Sequence, residues 1–508
     1  MRSLLLNKSG VDAGGTPVGQ AALHHQYCPQ LSPPHVLSFN NTAARRTVQT
    51  PAHTYEYYSS QYTNDGSFID NLRFALRYEA LDFRILCATF KTIGSDPILA
   101  WVQAEPTGSF SRRAWFLYER LTGDVLPLEP VKSGNYVDAL DVRFHFTAAP
   151  VNSARHRVRD NLLGTHALCP TVRRTDKLEA FIALDLKGEA ADLISGYDPD
   201  IFARAINFLF TKETRSSFAI EGEAQGSSRE ERFLHTLRDA QSFLPATEAE
   251  LIRLQASIVD ERYAASGWRD FQNFVAETMR GFGEYVHFIP PRPEDVPLLM
   301  RGWLSMVDRI HTDGELDAVV AAAITAFTFV FIHPFEDGNG RIHRFLIHAI
   351  LSSRGFSPPG VIFPVSAAIL RNRHSYDMVL EDFSKPVLLN TEWSFDSESR
   401  INVGNQTIDL FRFFDATAQA EFLYSCVLET IRSDIKGEAD FVEVFDAALY
   451  ALRDVVDMPD RRASLLVKLC MQNGGRLSQS KRKQFAELSD DEVVRVETAL
   501  TSIMQGRM

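Results

Sequence analysis

The spacing of apolar residues is the first feature of the sequence that predicts secondary structure. From about residue 176 onward, apolar residues recur three and four positions apart, as in KLEAFIALDL, DIFARAINFLF and VPLLMRGWLSMVDRI. This spacing places the apolar side chains on one face of a helix. Clusters of Gly and Pro, such as HFIPPRPEDVP, separate these segments and mark loops. The pattern predicts a mainly α-helical protein.

Changes in this pattern predict four regions. Residues 1–50 contain scattered Gly, Pro, Asn and Thr and predict an extended or partly disordered arm. Residues 51–175 mix helix-like stretches with short aromatic and β-branched runs, which predicts an α+β or helical accessory domain. Residues 176–385 are helical and carry the motifs described below, and residues 386–508 predict a mainly helical C-terminal domain.

One segment is apolar enough to be compared with a membrane span. LDAVVAAAITAFTFVFI, residues 316–332, is followed at once by His333 and Pro334. A spanning helix needs about 20 strongly apolar residues, so we predict a buried central helix. The N-terminal MRSLLLN is too short for the apolar part of a secretory signal. We therefore expect a soluble protein.

Composition and charge narrow the functional classes. The chain has 508 residues, of which 45% are hydrophobic and 23% charged, which is enough for several cores and excludes a disordered protein. Its net charge of −12 does not provide the basic field that non-specific nucleic-acid binding needs. The five cysteines lie far apart, with no Cys-x-x-Cys pair. We expect reduced thiols in a reducing, cytoplasmic compartment.

The candidate chemistry lies in the segment HPFEDGNGRIHR, which follows the central apolar helix. Gly338 and Gly340 flank Asn339 in a turn that opens the next helix. Unpaired N–H groups and the positive end of the helix dipole make such a turn a cradle for anions. Arg341 and Arg344, three residues apart, can clamp phosphate oxygens.

Two further residues of the segment fit phosphate chemistry. Asp337, at the rim of the turn, is a hard oxygen ligand suited to a Mg²⁺ ion that bridges phosphates. His333 ends the preceding helix, where a neutral imidazole can act as a general base. The segment therefore predicts a site for phosphoryl or nucleotidyl transfer.

The segment resembles the signature of the Fic family (filamentation induced by cAMP), HPFx[DE]GNGRxxR, at all nine specified positions. The resemblance implies a helical Fic core with a short β-hairpin flap. It also implies that AMP is transferred from ATP, with Mg²⁺ or Mn²⁺, to a Ser, Thr or Tyr hydroxyl of a target protein or of the chain itself. Two alternatives stay open: removal of AMP or transfer of another nucleotide or phosphoryl group at the same site, and a non-catalytic regulatory protein that binds a partner or DNA.

The resemblance also implies a role for each residue of the segment. His333 would deprotonate the attacking hydroxyl, and Asp337 would hold the metal ion. The anion hole would consist of Gly338, Asn339 and Gly340, with Asn339 on the α-phosphate. Arg341 would bind the β-phosphate and Arg344 the γ-phosphate.

A second motif lies upstream, in the sequence SFAIEG. Ser217 and Glu221 are four residues apart and share one helix face, and Gly222 suits a helix end. The motif resembles the family's inhibitory pattern [ST]xxxE[GN], in which the glutamate pairs with the second signature arginine. The resemblance implies an inhibitory helix near residues 213–222 in which Glu221 pairs with Arg344. Ordinary helix packing is the alternative.

The segment VHFIPPRP predicts a short extended stretch stiffened by prolines. The family has a β-hairpin flap at this place, which aligns the target by strand addition. The resemblance implies that His287, Phe288 and Ile289 belong to this flap. A rigid loop between helices is the alternative.

Two weaker predictions concern the rest of the chain. Asn372 and Tyr376 lie on a predicted helix where the family has adenine-contacting residues. The family's second tyrosine is replaced by Asp377, and core packing explains Tyr376 equally well. Near the C-terminus, basic residues 481–483 could belong to a DNA-contacting, winged-helix-like domain, but a solvated patch balanced by nearby acids is favoured. A homodimer is compatible with these features.

Overall fold

The computed structural model describes residues 15–41, 44–50, 53–59, 61–62, 65–222, 227–279 and 283–505. Helices make up most of these residues, which confirms the mainly α class. The helices are α1 (Gly19–Tyr27), α2 (Phe68–Tyr78), α3 (Phe83–Ile93), α4 (Asp96–Ala104), α5 (Ser109–Thr122), α6 (Asp176–Ile182), α7 (Leu186–Ser195), α8 (Pro199–Ile220), α9 (Ser227–Arg238), α10 (Glu248–Ile258), α11 (Val296–Thr312), α12 (Ala318–Ile332), α13 (Asn339–Ser353), α14 (Val365–Arg371), α15 (Arg373–Leu389), α16 (Ile408–Arg412), α17 (Thr417–Glu429), α18 (Lys436–Val455), α19 (Asp460–Met471), α20 (Gln479–Arg482) and α21 (Asp490–Gln505).

Short strands and tighter helical turns connect these helices. The strands are β1 (Thr16–Pro17), β2 (Val36–Asn40), β3 (Arg46–Gln49), β4 (Thr54–Tyr58), β5 (Val137–Asp138), β6 (Val151–Ser153), β7 (Val158–Asp160), β8 (Val275–Met279), β9 (Gly283–Phe288), β10 (Trp393–Phe395) and β11 (Ile401–Val403). A π-helical segment, Thr430–Ile435, joins α17 to α18. Turns of 3₁₀ helix occur at Asp239–Ser242, Glu261–Tyr263, Pro293–Asp295 and Lys483–Phe485.

The N-terminal region differs from the predicted extended arm. Strands β1, β2, β4 and β3 form one sheet in that order, with β2 and β4 parallel. Leu37 and Phe39 of β2 are buried against Tyr55 and Tyr57 of β4. The described residues before position 50, where the sequence predicts an extended or partly disordered arm, contain strands β1 to β3 and helix α1, while residues 1–14 lie outside the described part. The strands are too short for their alternation to stand out among the polar residues around them.

The next region forms its own core from α2 to α5 and a small sheet in the order β5, β7, β6. Ser67 accepts a hydrogen bond from Asp70 N and begins α2, and Asp82 accepts one from Arg84 N and begins α3. Such caps satisfy N–H groups that the first turn leaves unpaired. Phe413, from far along the chain, completes this core. The region therefore rests directly on the rest of the molecule.

Helix α12 is the centre of the main core, as the sequence predicts. It buries 13 of its 15 residues and packs against α11, α13 and α17. Asp317 begins the helix by accepting hydrogen bonds from Val319 N and Val320 N, both at 2.9 Å. Among the described residues, no single helix is long and apolar enough to cross a bilayer. The α3–α4 pair meets that test jointly, but it is bent by 96°.

The boundaries of the structural units differ from the predicted ones. Phe146 and Val172, from before position 176, share the main core with Phe411 and Val442, from after position 385. A separate small core forms only from the second half of α18 to α21. Within the predicted C-terminal region, β10 and β11 form a two-stranded antiparallel pair, and the described residues 404–505 contain helices but no strand. Alternating polar and apolar residues cannot show which helices share a core.

Candidate active site

The turn between α12 and α13 is fixed by its own backbone and side chains. His333 ends α12 in the left-handed conformation, with φ 51° and ψ 59°, and Gly338 precedes α13 with φ 88°. The Asn339 amide accepts a hydrogen bond from Phe335 N at 3.1 Å and donates one to Phe335 O at 2.8 Å. Asn339, expected on the α-phosphate, therefore closes the turn on itself.

His333 is a neutral imidazole with a free lone pair on Nε2. Its Nδ1 lies 3.2 Å from Val330 O. Because a carbonyl oxygen only accepts, Nδ1 carries the proton, and the lone pair is on Nε2. Burial and the nearby charge of Arg269 lower the pKa of His333 to about 4. The imidazole is therefore neutral at physiological pH.

A cavity of about 310 Å³ opens beside His333. Glu277, His287 and Phe288 line it from β8 and β9, and Arg373 and Asp377 line it from α15. Its walls therefore combine an apolar surface with several charged groups. A space of this size falls within the range of small-molecule sites.

Arg341 and Arg344 are both buried at the start of α13. Arg341 Nη2 lies 3.0 Å from Asp337 Oδ1, and its guanidinium lies 5.4 Å from the ring centre of Phe218. Arg344 Nε donates to Ser217 Oγ at 2.6 Å, and its Nη2 donates to Ser217 O at 3.0 Å. The two guanidinium groups therefore meet the last turns of α8.

Glu221, directly after α8, lies between the two arginines. Its Oε1 is 2.6 Å from Arg344 Nη2, and its Oε2 is 3.1 Å from Arg341 Nε. A Cβ added at Gly340 would lie 2.5 Å from Oε1, so the carboxylate sits against the first turn of α13. An anionic group thus occupies the helix N-terminus that the sequence identifies as an anion cradle. The contact with Arg344 is the one the inhibitory motif implies, and the contact with Arg341 is additional.

Residues far along the chain hold the turn in place, and sequence reasoning missed their role. Gln255, on α10, is fully buried and donates to Asp337 O at 3.2 Å and to Tyr263 O at 2.9 Å. Arg269 donates to His333 O at 2.8 Å. The GWR sequence at 267–269 is the only local signal, and it does not reveal which atoms Arg269 contacts.

The region of the predicted flap is a β-hairpin. β8 and β9 pair antiparallel, with an irregularity between Val275 and Ala276, and residues 280–282 between them lie outside the described part. His287 and Phe288 line the cavity beside His333. Ile289 lies behind the hairpin, buried with Val286 and Ile401. The structure therefore brings two of the three predicted flap residues to the site.

The two residues predicted to contact adenine, Asn372 and Tyr376, do not line this cavity. Asn372 is exposed and donates to Glu429 Oε2 at 2.6 Å. Tyr376 is buried in the main core, with its ring centre 5.7 Å from that of Phe422. Neither is among the described residues that line the cavity. Because α15 turns Tyr376 inward, the same helix presents Arg373 and Asp377 to the cavity instead.

Of the basic residues 481–483, Arg482 contacts neighbouring groups. Arg482 contacts Asp490 at 2.9 Å and donates to Leu488 O at 2.6 Å. Arg462 pairs with Glu487. Both arginines thus pair with nearby carboxylates.

The site thus combines a neutral histidine, a helix N-terminus and two convergent arginines. The Fic/DOC family model matches residues 245–351, which contain the turn and most of α13. The chain therefore contains a Fic domain. Glu221 and Ser217 lie before the matched region.

Curated proteins named protein adenylyltransferase Fic are similar to part of the chain. The one from Nematostella vectensis is 37% identical over 113 residues, which is 22% of this chain and 22% of that protein. The one from Drosophila melanogaster is 41% identical over 76 residues, 15% of each. A probable protein adenylyltransferase of Aquifex aeolicus is 34% identical over 105 residues, 21% of this chain and 29% of that protein. The chain thus spans less than a third of the length of each of these relatives.

Two solved structures are also similar. A Fic family protein from Desulfovibrio desulfuricans aligns with 59% of this chain and 88% of its own, with a TM-score of 0.36 and 21% identity. A Fic domain containing signaling protein from Bacteroides thetaiotaomicron aligns with 50% of this chain and 96% of its own, with the same TM-score and identity.

Proposed function

We propose that the protein transfers AMP from ATP to a Ser, Thr or Tyr hydroxyl of a target protein, and that Glu221 inhibits this reaction. The position of the Glu221 carboxylate is the main support for this proposal, because it lies at the N-terminus of α13 between Arg341 and Arg344. An anion is bound where the motif predicts phosphate. The names of the curated relatives support AMP as the transferred group.

The residues present fit a nucleoside triphosphate with its metal ion. Two buried guanidinium groups, with fixed donors on one side, suit the charge and geometry of phosphate oxygens. Among the described residues there is no cluster of three or more His, Cys, Asp or Glu side chains placed to hold a metal ion. A single carboxylate, Asp337, suits Mg²⁺, which takes most of its other ligands from phosphates and water. The ion would neutralise charge on the phosphates.

His333 supplies the proton chemistry. The target hydroxyl oxygen forms a bond to the α-phosphorus, and the bond from that phosphorus to the β-phosphate oxygen breaks. Nε2 of His333 takes the hydroxyl proton, and pyrophosphate leaves. The arginines and the N–H groups of the turn stabilise the charge that develops on the phosphate oxygens. No covalent enzyme intermediate is needed.

The flap and the cavity provide the place for the target. An extended segment of the target would add as a strand to the β8–β9 hairpin, which carries His287 and Phe288 at the mouth of the cavity beside His333. The hydroxyl then enters from the hairpin side, while the nucleotide is held from the α13 side. The same arrangement would apply to self-modification.

Inhibition follows from competition for the arginines. While Glu221 occupies both guanidinium groups, a triphosphate finds neither of them free, and the carboxylate repels its charge. ATP bound in another position would present its α-phosphate poorly to the hydroxyl. Loss of this single carboxylate should therefore release activity.

Mass spectrometry of the Glu221→Gly protein, incubated with ATP, Mg²⁺ and host lysate, tests the proposal. We expect AMP adducts on target or own hydroxyls, at least about tenfold above wild type, and none when His333→Ala is added. Glu231→Gln, an exposed site on α9, is the matched control and should behave as wild type.

Adducts of another mass would indicate transfer of a different group. Loss of AMP from modified proteins would indicate the reverse reaction. Activity no higher than that of the His333→Ala variant would favour a binding protein.

A further inference from the structure

Arg269 is a buried arginine whose contacts differ from those of the signature arginines. Its side chain is about 5% exposed. Nε donates to His333 O at 2.8 Å, Nη1 donates to Phe271 O at 2.8 Å, and Nη2 donates to Pro291 O. Its backbone N donates to Pro334 O at 2.9 Å. Each guanidinium nitrogen thus meets a main-chain oxygen.

The oxygens that Arg269 contacts belong to two functional elements. His333 and Pro334 begin the turn, while Phe271 precedes β8 and Pro291 follows β9 at the open end of the hairpin. Gln272 Nε2 closes the same end of the hairpin by donating to Pro290 O at 3.0 Å. One side chain therefore fastens the base of the flap to the residue that carries the imidazole.

We infer that Arg269 is a positioning residue for the proposed transfer reaction: it fixes the main chain of His333 relative to the flap, so that a hydroxyl presented by the flap meets Nε2. This inference rests on the proposed function for its role in catalysis. The His333 carbonyl follows the last helical turn and has no partner within α12, and the left-handed conformation at His333 needs support from its surroundings. Arg269 donates a hydrogen bond to this carbonyl and thereby also supports the conformation of His333.

The shape of the guanidinium matters here as much as its charge. Three carbonyl oxygens from different segments converge on one planar group whose N–H directions are fixed. A lysine would keep the charge, but its ammonium group is a compact point charge on a flexible stem. We therefore expect Arg269→Lys to lose most of the positioning. The anion cradle is held separately by Gln255 and the Asn339 amide, so nucleotide binding should survive.

The test compares Arg269→Lys and Arg269→Gln with Arg292→Gln, all in the Glu221→Gly full-length protein. Arg292 is a matched control, because it lies next to the same hairpin but pairs with Glu294 and Asp295. We expect both Arg269 variants to lower kcat by about 100-fold, as a misplacement near 1 Å does. The KM for ATP should stay within about threefold, and Arg292→Gln should leave both constants unchanged. A kcat within about threefold of the parent, or near-parent activity of the lysine variant, would overturn the inference.

Hydrogen–deuterium exchange gives a readout that does not depend on activity. In both Arg269 variants, exchange should rise together in the hairpin strands and in residues 333–337, with α18 to α21 unchanged. Exchange that rises in one of the two segments alone, in neither, or equally throughout the chain would show that Arg269 does not couple them. If the Glu221→Gly parent transfers no AMP, the proposed function fails, and the exchange pattern alone decides whether Arg269 joins turn and flap.

Discussion

Glu221 Oε1 lies 2.6 Å from Arg344 Nη2, so the residue that follows α8 contacts a buried arginine of α13. The Arg344 side chain is 2% exposed, whereas that of Glu221 is 24% exposed. Glu221 follows the end of α8, and Gly222 after it has φ 69°. The carboxylate is therefore the more accessible partner of this contact, and the arginine is the buried one. Such a contact suits a reversible block.

Ser217→Ala should release the block in part. Ser217 Oγ accepts from Arg344 Nε at 2.6 Å, and the residue is fully buried. Its loss leaves a buried donor unsatisfied and loosens the arginine that holds Glu221, at a cost of about 1–3 kcal/mol. AMP incorporation should fall between wild type and Glu221→Gly, measured with labelled ATP. Ser216→Ala is the neighbouring control. If Ser217→Ala incorporates no more AMP than wild type while Glu221→Gly is active, Glu221 alone maintains the inhibition.

Gly340→Ala should weaken nucleotide binding. The new Cβ would lie 2.5 Å from the present position of Glu221 Oε1, where a phosphate oxygen is expected, and 3.3 Å from Arg344 Nη1. In the Glu221→Gly protein we expect the Kd for ATP with Mg²⁺ to rise at least about tenfold, for a loss of about 1.4 kcal/mol. Calorimetric titration measures this. Gly437→Ala, with open space around its added Cβ, should bind as the parent does. Equal affinities of the two variants would mean that the phosphates bind elsewhere.

The chemistry of the turn was accessible from sequence because it is local. The apolar run of α12, the glycines of the turn and the arginines of α13 lie in consecutive residues, and their spacing predicts both helices and the cradle. The supports of the turn are not local. Arg269 and Gln255 reach it from 64 and 82 residues away, and a single sequence gives no sign of such contacts.

Tertiary packing also determines the orientation of two side chains, which the local sequence pattern does not predict. Tyr376 turns into the core because α15 packs against α17, and that choice moves Arg373 and Asp377 to the cavity. Asn339 closes its own turn, which the motif does not reveal. In the N-terminal region, the parallel pairing of β2 with β4 joins strands separated by β3. Propensity over four or five residues is too weak to predict such a sheet.

The pair of Glu213 and His348 should contribute strongly to stability. Glu213 Oε1 lies 2.9 Å from His348 Nε2, and Ser366 N donates to Glu213 Oε2 at 2.8 Å, all within the core. Glu213 and Ser217 lie four residues apart on α8, and Glu221 follows four residues later, just after the helix ends, so this pair anchors the helix that leads to the proposed inhibitory residue. Glu213→Ala leaves a buried histidine and a buried amide unpaired, and should lower the free energy of unfolding by about 1–3 kcal/mol. Urea denaturation measures it against Glu231→Ala. A difference below about 1 kcal/mol would show that the pair is replaceable.

The pH dependence of transfer should reveal the state of His333. Burial and the charge of Arg269 lower its pKa to about 4, and the base works only when Nε2 is unprotonated. Its competent form is therefore complete at neutral pH and is lost only as pH falls through the lowered value, whereas an unperturbed histidine would lose it near about 6.5. In the Glu221→Gly protein, kcat/KM should stay level from about pH 8 to about pH 6 and decline below about pH 5. Circular dichroism at each pH separates this decline from unfolding.

Arg269→Gln removes a nearby positive charge, so any remaining activity should decline at a higher pH than in the parent. A decline of the parent centred near the ordinary histidine value would mean that His333 is solvated and not held as the structure shows.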